Sequence, residues 1–129
     1  MQKKIIVYVY GTLRPGVEAN LVRVPGTLHV LGGYPGARIK GEDFGQFFMA
    51  ERCEVPQESM ARLDSYEGYR QDRPEMSLFR RIPYLDGYIY EYNHDLKDRE
   101  QITDWLEYTG GKSGTAAWMM SMDNSEEVV

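Results

Sequence analysis

Ile5-Ile6-Val7-Tyr8-Val9-Tyr10-Gly11-Thr12-Leu13-Arg14-Pro15-Gly16 reads as a buried-type strand that runs straight into a glycine-containing loop. A strand that stops at glycine can present consecutive backbone N–H groups to an anion, because without a Cβ the chain can take φ > 0 and approach a ligand closely. The second half of the loop, Arg14-Pro15-Gly16, adds turn chemistry and a cation. The stretch therefore reads as a place to hold a ligand, although so short a Tyr-Gly-Thr segment is equally compatible with an ordinary strand-ending turn.

Working outward, short apolar or aromatic runs separated by Gly, Pro and Asp recur at residues 5–10, 27–31, 37–39, 46–53, 77–82, 87–93 and 116–120, a strand-heavy pattern. Tyr88, Tyr90 and Tyr92 alternate with Ile89 and Glu91, which predicts a strand with an aromatic face. An Asp86-Gly87 turn precedes it, so Phe79 to Ile82 and Tyr88 to Tyr92 are expected to pair as a hairpin.

Two amphipathic helices are predicted. One runs from Pro56 to Glu67, opening on a proline suited to the first turn and stopping before Gly68. The other runs roughly from Lys97 to Tyr108, with Ile102, Trp105 and Leu106 on one face and a stop at Gly110-Gly111. In the first, Met60, Leu63 and Glu67 fall at i, i+3 and i+7, so the Glu67 carboxyl projects from the apolar face. Burial there raises a carboxyl pKa toward neutrality, where it can both accept and donate a proton. The same spacing also fits a glutamate at a frayed helix end, still solvated. An anion cradle together with an inward carboxyl is what is needed to hold an amino acid's α-carboxylate and move a proton on its α-amine.

The bulk composition sets the frame for this chemistry. A chain of 129 residues with 42% hydrophobic and 12% aromatic composition is one globular domain. We place the domain at residues 1–121 and read residues 122–129 as an acidic, flexible tail, dispensable for folding. With 15 basic against 20 acidic residues the formal charge is -5, so nothing in the total draws the protein to nucleic acid or anionic lipid. The start Met1-Gln2-Lys3-Lys4-Ile5 opens a run too short for a signal-peptide core or a membrane span, and the lone Cys53 cannot form an internal disulfide. The protein reads as cytoplasmic, and Cys53 reads as a small apolar filler.

Val9-Tyr10-Gly11-Thr12-Leu13-Arg14-Pro15-Gly16, Leu31-Gly32-Gly33-Tyr34-Pro35-Gly36, Leu63-Asp64-Ser65-Tyr66-Glu67-Gly68-Tyr69 and Tyr88-Ile89-Tyr90-Glu91-Tyr92-Asn93, in that order, resemble the γ-glutamylcyclotransferase superfamily, in particular its γ-glutamylamine cyclotransferase and AIG2-like branch. The resemblance spans about residues 5–108, and its specific part is the glycine loop together with Leu-Asp-x-x-Glu-Gly. It implies an α+β fold: a mixed, largely antiparallel β-barrel with flanking helices. It implies release of 5-oxoproline from a γ-glutamyl compound, by attack of the substrate's own α-amine on its γ-carbonyl. It assigns the general acid/base role to Glu67, α-carboxylate binding to Tyr10, Gly11, Thr12 and Leu13, and further substrate contacts to Tyr34, Arg81 and Tyr88. Because nucleophile and electrophile share one molecule, neither metal nor cofactor is expected. Many relatives carry Tyr-x-Arg where this chain has Phe79-Arg80-Arg81, leaving Tyr84, Tyr88 or Tyr90 as the replacement phenol.

Other signals carry less. Gly110-Gly111-Lys112-Ser113 lacks the upstream glycine of a phosphate loop, where Leu106 stands, and reads as a connector. His29 and His94 lack partners at metal-ligand spacing. Arg70, Arg73, Arg80 and Arg81, interleaved with Tyr69 and Phe79, read as a solvated face or substrate rim and not as a nucleic-acid patch. Three functional readings follow: an enzyme acting on a small γ-glutamyl substrate; an inactive member that binds or sequesters a small anionic or amino-acid-like ligand; and an adaptor using the tyrosine-rich strand. The leaving group and the oligomeric state are not legible.

Overall fold

The computed structural model describes residues 3–110. The strand expected at 116–120, the tail at 122–129 and most of the glycine connector lie outside the described residues. Within them, β1 (Lys4–Val9), β2 (Leu21–Val30), β3 (Pro35–Ile39), β4 (Phe47–Pro56), β5 (Phe79–Tyr84), β6 (Gly87–Tyr92) and β7 (Gln101–Ile102) form one curled sheet. Its order is β3-β2-β4-β1-β6-β5, with β7 paired to β2. Every pairing is antiparallel except β1 with β6, so the sheet is mixed. The uninterrupted apolar run of β1 fits its central place: Val7, Tyr8 and Val9 are all buried, with ladders on both edges.

The curl originates in β2. Its first half pairs with β4, from Leu21 opposite Glu51 to Pro25 opposite Phe47, and its second half pairs with β3, from Gly26 opposite Ile39 to Val30 opposite Pro35. At the changeover Gly26 takes φ 145°, and a Cβ there would lie 2.1 Å from the Arg38 carbonyl oxygen. Only glycine lets the two backbones pass so closely. The sheet then bends round until β3 faces β6. No ladder joins that pair; side chains do. The Ile39 N–H donates to Glu91 Oε2 at 2.9 Å, and the Arg38 guanidinium donates to the carbonyls of Tyr92 and His94 at 2.7 and 2.6 Å. The expected barrel is therefore a half-barrel.

The expected hairpin of β5 and β6 forms, with Phe79 opposite Tyr92 and Ile82 opposite Ile89, but its turn is Leu85-Asp86, one residue before the expected Asp86-Gly87. Leu85 takes the positive φ, at 49°. Gly87 begins β6 and is glycine for a different reason: a Cβ there would sit 2.0 Å from the Ile6 carbonyl oxygen across the parallel pairing.

The helices are α1 (Met60–Tyr66), entered through a 3-10 turn at Gln57–Ser59, and α2 (Trp105–Tyr108). The helix expected over 97–108 is thus mostly replaced. Asp98 takes φ 66°, outside the helical region; Ile102 pairs opposite Leu28 in the sheet; and the Asp104 side chain then caps a fresh helix by accepting from the Glu107 N–H at 3.1 Å. The apolar residues still point inward, with Trp105 buried and Ile102 against the core, so a short strand and a helical turn satisfy the same pattern. No described helix is long and apolar enough to cross a membrane.

Candidate active site

The strand-to-loop junction after β1 makes one wall of a cavity of about 260 Å³. Tyr10 to Leu13 form that wall, Gly33 to Pro35 and the start of β5 at Leu78 and Phe79 make others, α1 contributes Leu63, Tyr66 and Glu67, and β6 contributes Tyr90. Gly11 is glycine because of Pro35, whose Cδ would lie 2.9 Å from an added Cβ; its φ is not in the positive region. The Arg14 N–H donates to the Gly11 carbonyl at 3.0 Å and closes a turn. Within it the N–H groups of Thr12 and Leu13 have no hydrogen-bond partner among the described residues. Adjacent N–H groups without an internal acceptor are able to donate to an anion.

The cation of this loop is turned away from it. Arg14 is buried, with Nε 2.7 Å from Glu51 Oε2 and Nη1 2.8 Å from Asp104 Oδ1. Glu51, fully buried, also accepts from the N–H groups of Gly16 and Val17 at 3.0 and 2.7 Å. Arg14 therefore corrects the expectation that it adds positive charge to the ligand site: a buried guanidinium needs carboxylate partners, and these lie behind the loop. What it supplies instead is a fixed loop.

Glu67 sits on the inner face of α1 with Met60 and Leu63, both buried. The helix does not fray there. Gly68 at φ 70° donates its N–H to the Ser65 carbonyl at 3.1 Å, and Tyr69 donates to the Asp64 carbonyl at 2.8 Å, a Schellman termination with Glu67 as C-cap. Glu67 keeps some accessible surface because the cavity reaches it, yet protein packs densely around the carboxyl. Burial, reinforced by the nearby charge of Asp64, pushes its pKa up to about 7. No described side chain donates a hydrogen bond to it.

Two phenols lie near this carboxyl. The Tyr10 hydroxyl donates to the Tyr90 carbonyl, and the Tyr90 hydroxyl donates to Asp64 Oδ1. Burial raises the pKa of both, with Glu67 adding to the effect, so both stay protonated at neutral pH. Asp64 is also bound by Arg81, whose Nη1 lies 3.0 Å from Oδ2.

Of the residues expected at the site, Tyr10, Gly11, Thr12, Leu13, Tyr34 and Glu67 line this one cavity. Arg81 and Tyr88 do not: they border a separate depression with Asp64, Gln57 and Gln71, where the Arg81 guanidinium lies 4.9 Å from the Tyr88 ring centroid and 5.6 Å from that of Tyr69. Of the three replacement phenols, Tyr84 packs edge-on against Tyr8 at 5.0 Å, Tyr88 faces the depression, and only Tyr90 borders the cavity. Asp64 received no role from sequence, although its spacing of i, i+3 from Glu67 was a legible signal of proximity. Tyr66, whose Oη lies 2.9 Å from Thr12 Oγ1, and the apolar pair Leu78 and Phe79 were also missed. Among the described residues no cluster of three or more His, Cys, Asp or Glu is placed to hold a metal ion.

The chain is 32% identical over 123 aligned residues to the γ-L-glutamyl-butirosin B γ-glutamyl cyclotransferase of Niallia circulans, covering 79% of this chain and 76% of the relative. No family model matches the chain, and no solved structure matches it. With that identity over most of both sequences, and with a glycine loop and an inward glutamate sharing one cavity, the chain belongs to the γ-glutamyl cyclotransferase family.

Proposed function

We propose that this protein cyclises a γ-glutamyl compound, releasing 5-oxoproline and a free amine. The observation that carries the reading is Glu67: a carboxyl with a pKa of about 7 in the same cavity as the free N–H groups of Thr12 and Leu13. The loop takes the substrate α-carboxylate, and Glu67 takes a proton from the α-ammonium. The freed nitrogen attacks the γ-carbonyl carbon, closing a five-membered ring. The tetrahedral intermediate then collapses, and the bond to the leaving nitrogen breaks. Of the three protons on the α-ammonium, one stays on the lactam nitrogen and two pass to the leaving nitrogen. A carboxyl half-ionised near neutrality suits both halves of that transfer. Holding nucleophile and electrophile in a near-attack conformer supplies much of the rate, so the site works without a cofactor.

Glu67 is the one charged side chain among the described residues lining the cavity. A leaving amine that bears a carboxylate meets no cation there, which favours a γ-glutamylamine over a γ-glutamyl amino acid and supports the γ-glutamylamine cyclotransferase and AIG2-like branch. The test is incubation with γ-glutamyl amines, γ-glutamyl dipeptides and γ-glutamyl-butirosin B, with 5-oxoproline detected by mass spectrometry. Glu67→Gln should lower kcat by about 10²–10⁴-fold, while the loop still holds the α-carboxylate. A folded Glu67→Gln protein with full turnover removes Glu67 from the mechanism. Tight binding of these compounds by the unmodified protein with no 5-oxoproline released makes it a binding protein for amino-acid-like ligands.

A further inference from the structure

Tyr90 borders the catalytic cavity but its proton points out of it. A phenol has one proton and two lone pairs, so a hydroxyl that donates to Asp64 can only accept from any other group that reaches it. Asp64 can hold Tyr90 in that state because both of its oxygens are themselves held in place. Arg81 Nη1 lies 3.2 and 3.0 Å from its two oxygens, and that guanidinium is itself packed against the rings of Tyr69 and Tyr88. A carboxylate so paired is an acceptor and never a donor.

We propose that Asp64 is a positioning residue: by accepting the Tyr90 hydrogen bond from outside the cavity, it leaves the Tyr90 oxygen and the Glu67 carboxyl as an acceptor corner that receives the substrate's α-amino group. The proposal rests on the cyclotransferase reading. Elsewhere in the same cavity the Thr12 and Leu13 N–H groups are donors. With donors in one place and acceptors in another, an α-amino acid head group fits in one orientation, its amine beside the group that deprotonates it. Asp64 borders the neighbouring depression and not the cavity, so its influence runs through Tyr90 and through its charge. The groups facing Glu67 are Asp64 on its own helix, Tyr10 at the end of β1 and Tyr90 on β6, with Arg81 of β5 behind Asp64.

Asp64→Asn keeps the shape but sets an amide N–H₂ against either Arg81 or Tyr90. Tyr90 then accepts from the amide and turns its proton into the cavity. For Asp64→Asn we expect kcat/KM on γ-glutamyl amides to fall about 10- to 100-fold, the range for one hydrogen bond to a charged group, and the acidic limb of the pH profile to move to lower pH. Tyr90→Phe should give a loss of similar size, and Asp64→Asn should add little in the Tyr90→Phe background. Calorimetry supplies a readout independent of turnover, comparing L-glutamine with glutaric monoamide, which has the carboxylate but no α-amine. The unmodified protein should prefer glutamine, and both variants should lose most of that preference. The proposal is overturned by an Asp64→Asn enzyme with unchanged kcat/KM and pH profile, by fully additive losses in the double variant, or by equal binding of the two probes to the unmodified protein. Should Asp64→Asn fail to fold, Tyr90→Phe and the two probes decide alone. A retained preference for glutamine with no 5-oxoproline formed from any γ-glutamyl compound leaves the acceptor corner standing and sinks the cyclotransferase reading.

Discussion

Glu67→Gln should change stability in a way that depends on pH, and the structure sets both the sign and the size. Burial, with the Asp64 charge, holds the Glu67 carboxyl at about 7 in the folded protein against 4.5 for a free glutamate. A group whose folded pKa lies above its unfolded value binds more protons in the folded state. Stability is therefore fully present below about pH 4.5, falls as pH rises through 7, and is flat beyond. An interval of about 2.5 pH units, at about 1.4 kcal/mol each, corresponds to about 3 kcal/mol. Gln is neutral throughout and has no such slope. Relative to the unmodified protein, the variant should thus gain about 3 kcal/mol between pH 4 and pH 8, equivalent to about 10 °C in Tm for a domain of this size. Urea unfolding at a series of pH values, followed by tryptophan fluorescence, measures it. Other titrating groups are common to both proteins and cancel in the difference. Stability curves that stay parallel from pH 4 to pH 8 would refute the raised pKa, and with it the claim that Glu67 is poised for proton transfer at neutrality.

The remaining predictions concern the scaffold. Arg14→Met leaves Glu51 buried without its cation and should cost about 3–5 kcal/mol in denaturant unfolding; any protein that folds should show a raised KM, because the same network fixes the Gly11 to Gly16 loop, and a loss under about 1 kcal/mol would make that network dispensable. Gly87→Ala should cost at least about 3 kcal/mol or abolish soluble expression, since its methyl would lie 2.0 Å from the Ile6 carbonyl oxygen. Gly33→Ala, where an added Cβ meets nothing within 4 Å, should leave Tm unchanged and serves as the control.

What sequence alone determined is local. Apolar periodicity placed β1, the hairpin of β5 and β6 and the first helix, because burial of one face leaves a period of two or 3.6 in the chain itself. Gly68 marked the stop of α1 because a left-handed C-terminal residue favours glycine, and that stop gives Glu67 its place at the helix end. Periodicity could not say which neighbour a face meets. Tyr88, Tyr90 and Tyr92 share one face of β6, and only the curl of the sheet puts Tyr90 at the cavity while Tyr88 faces the depression beside it. The second helix failed for the same reason: Ile102 and Trp105 needed burial, and a two-residue strand against β2 provides it as well as a helix would. Charges were the least legible of all. Arg14 reads as a ligand-binding cation until the fold brings in Glu51 and Asp104, which are 37 and 90 residues away along the chain. A buried ion must find its counter-ion wherever the tertiary structure places one, and no local pattern records that distance.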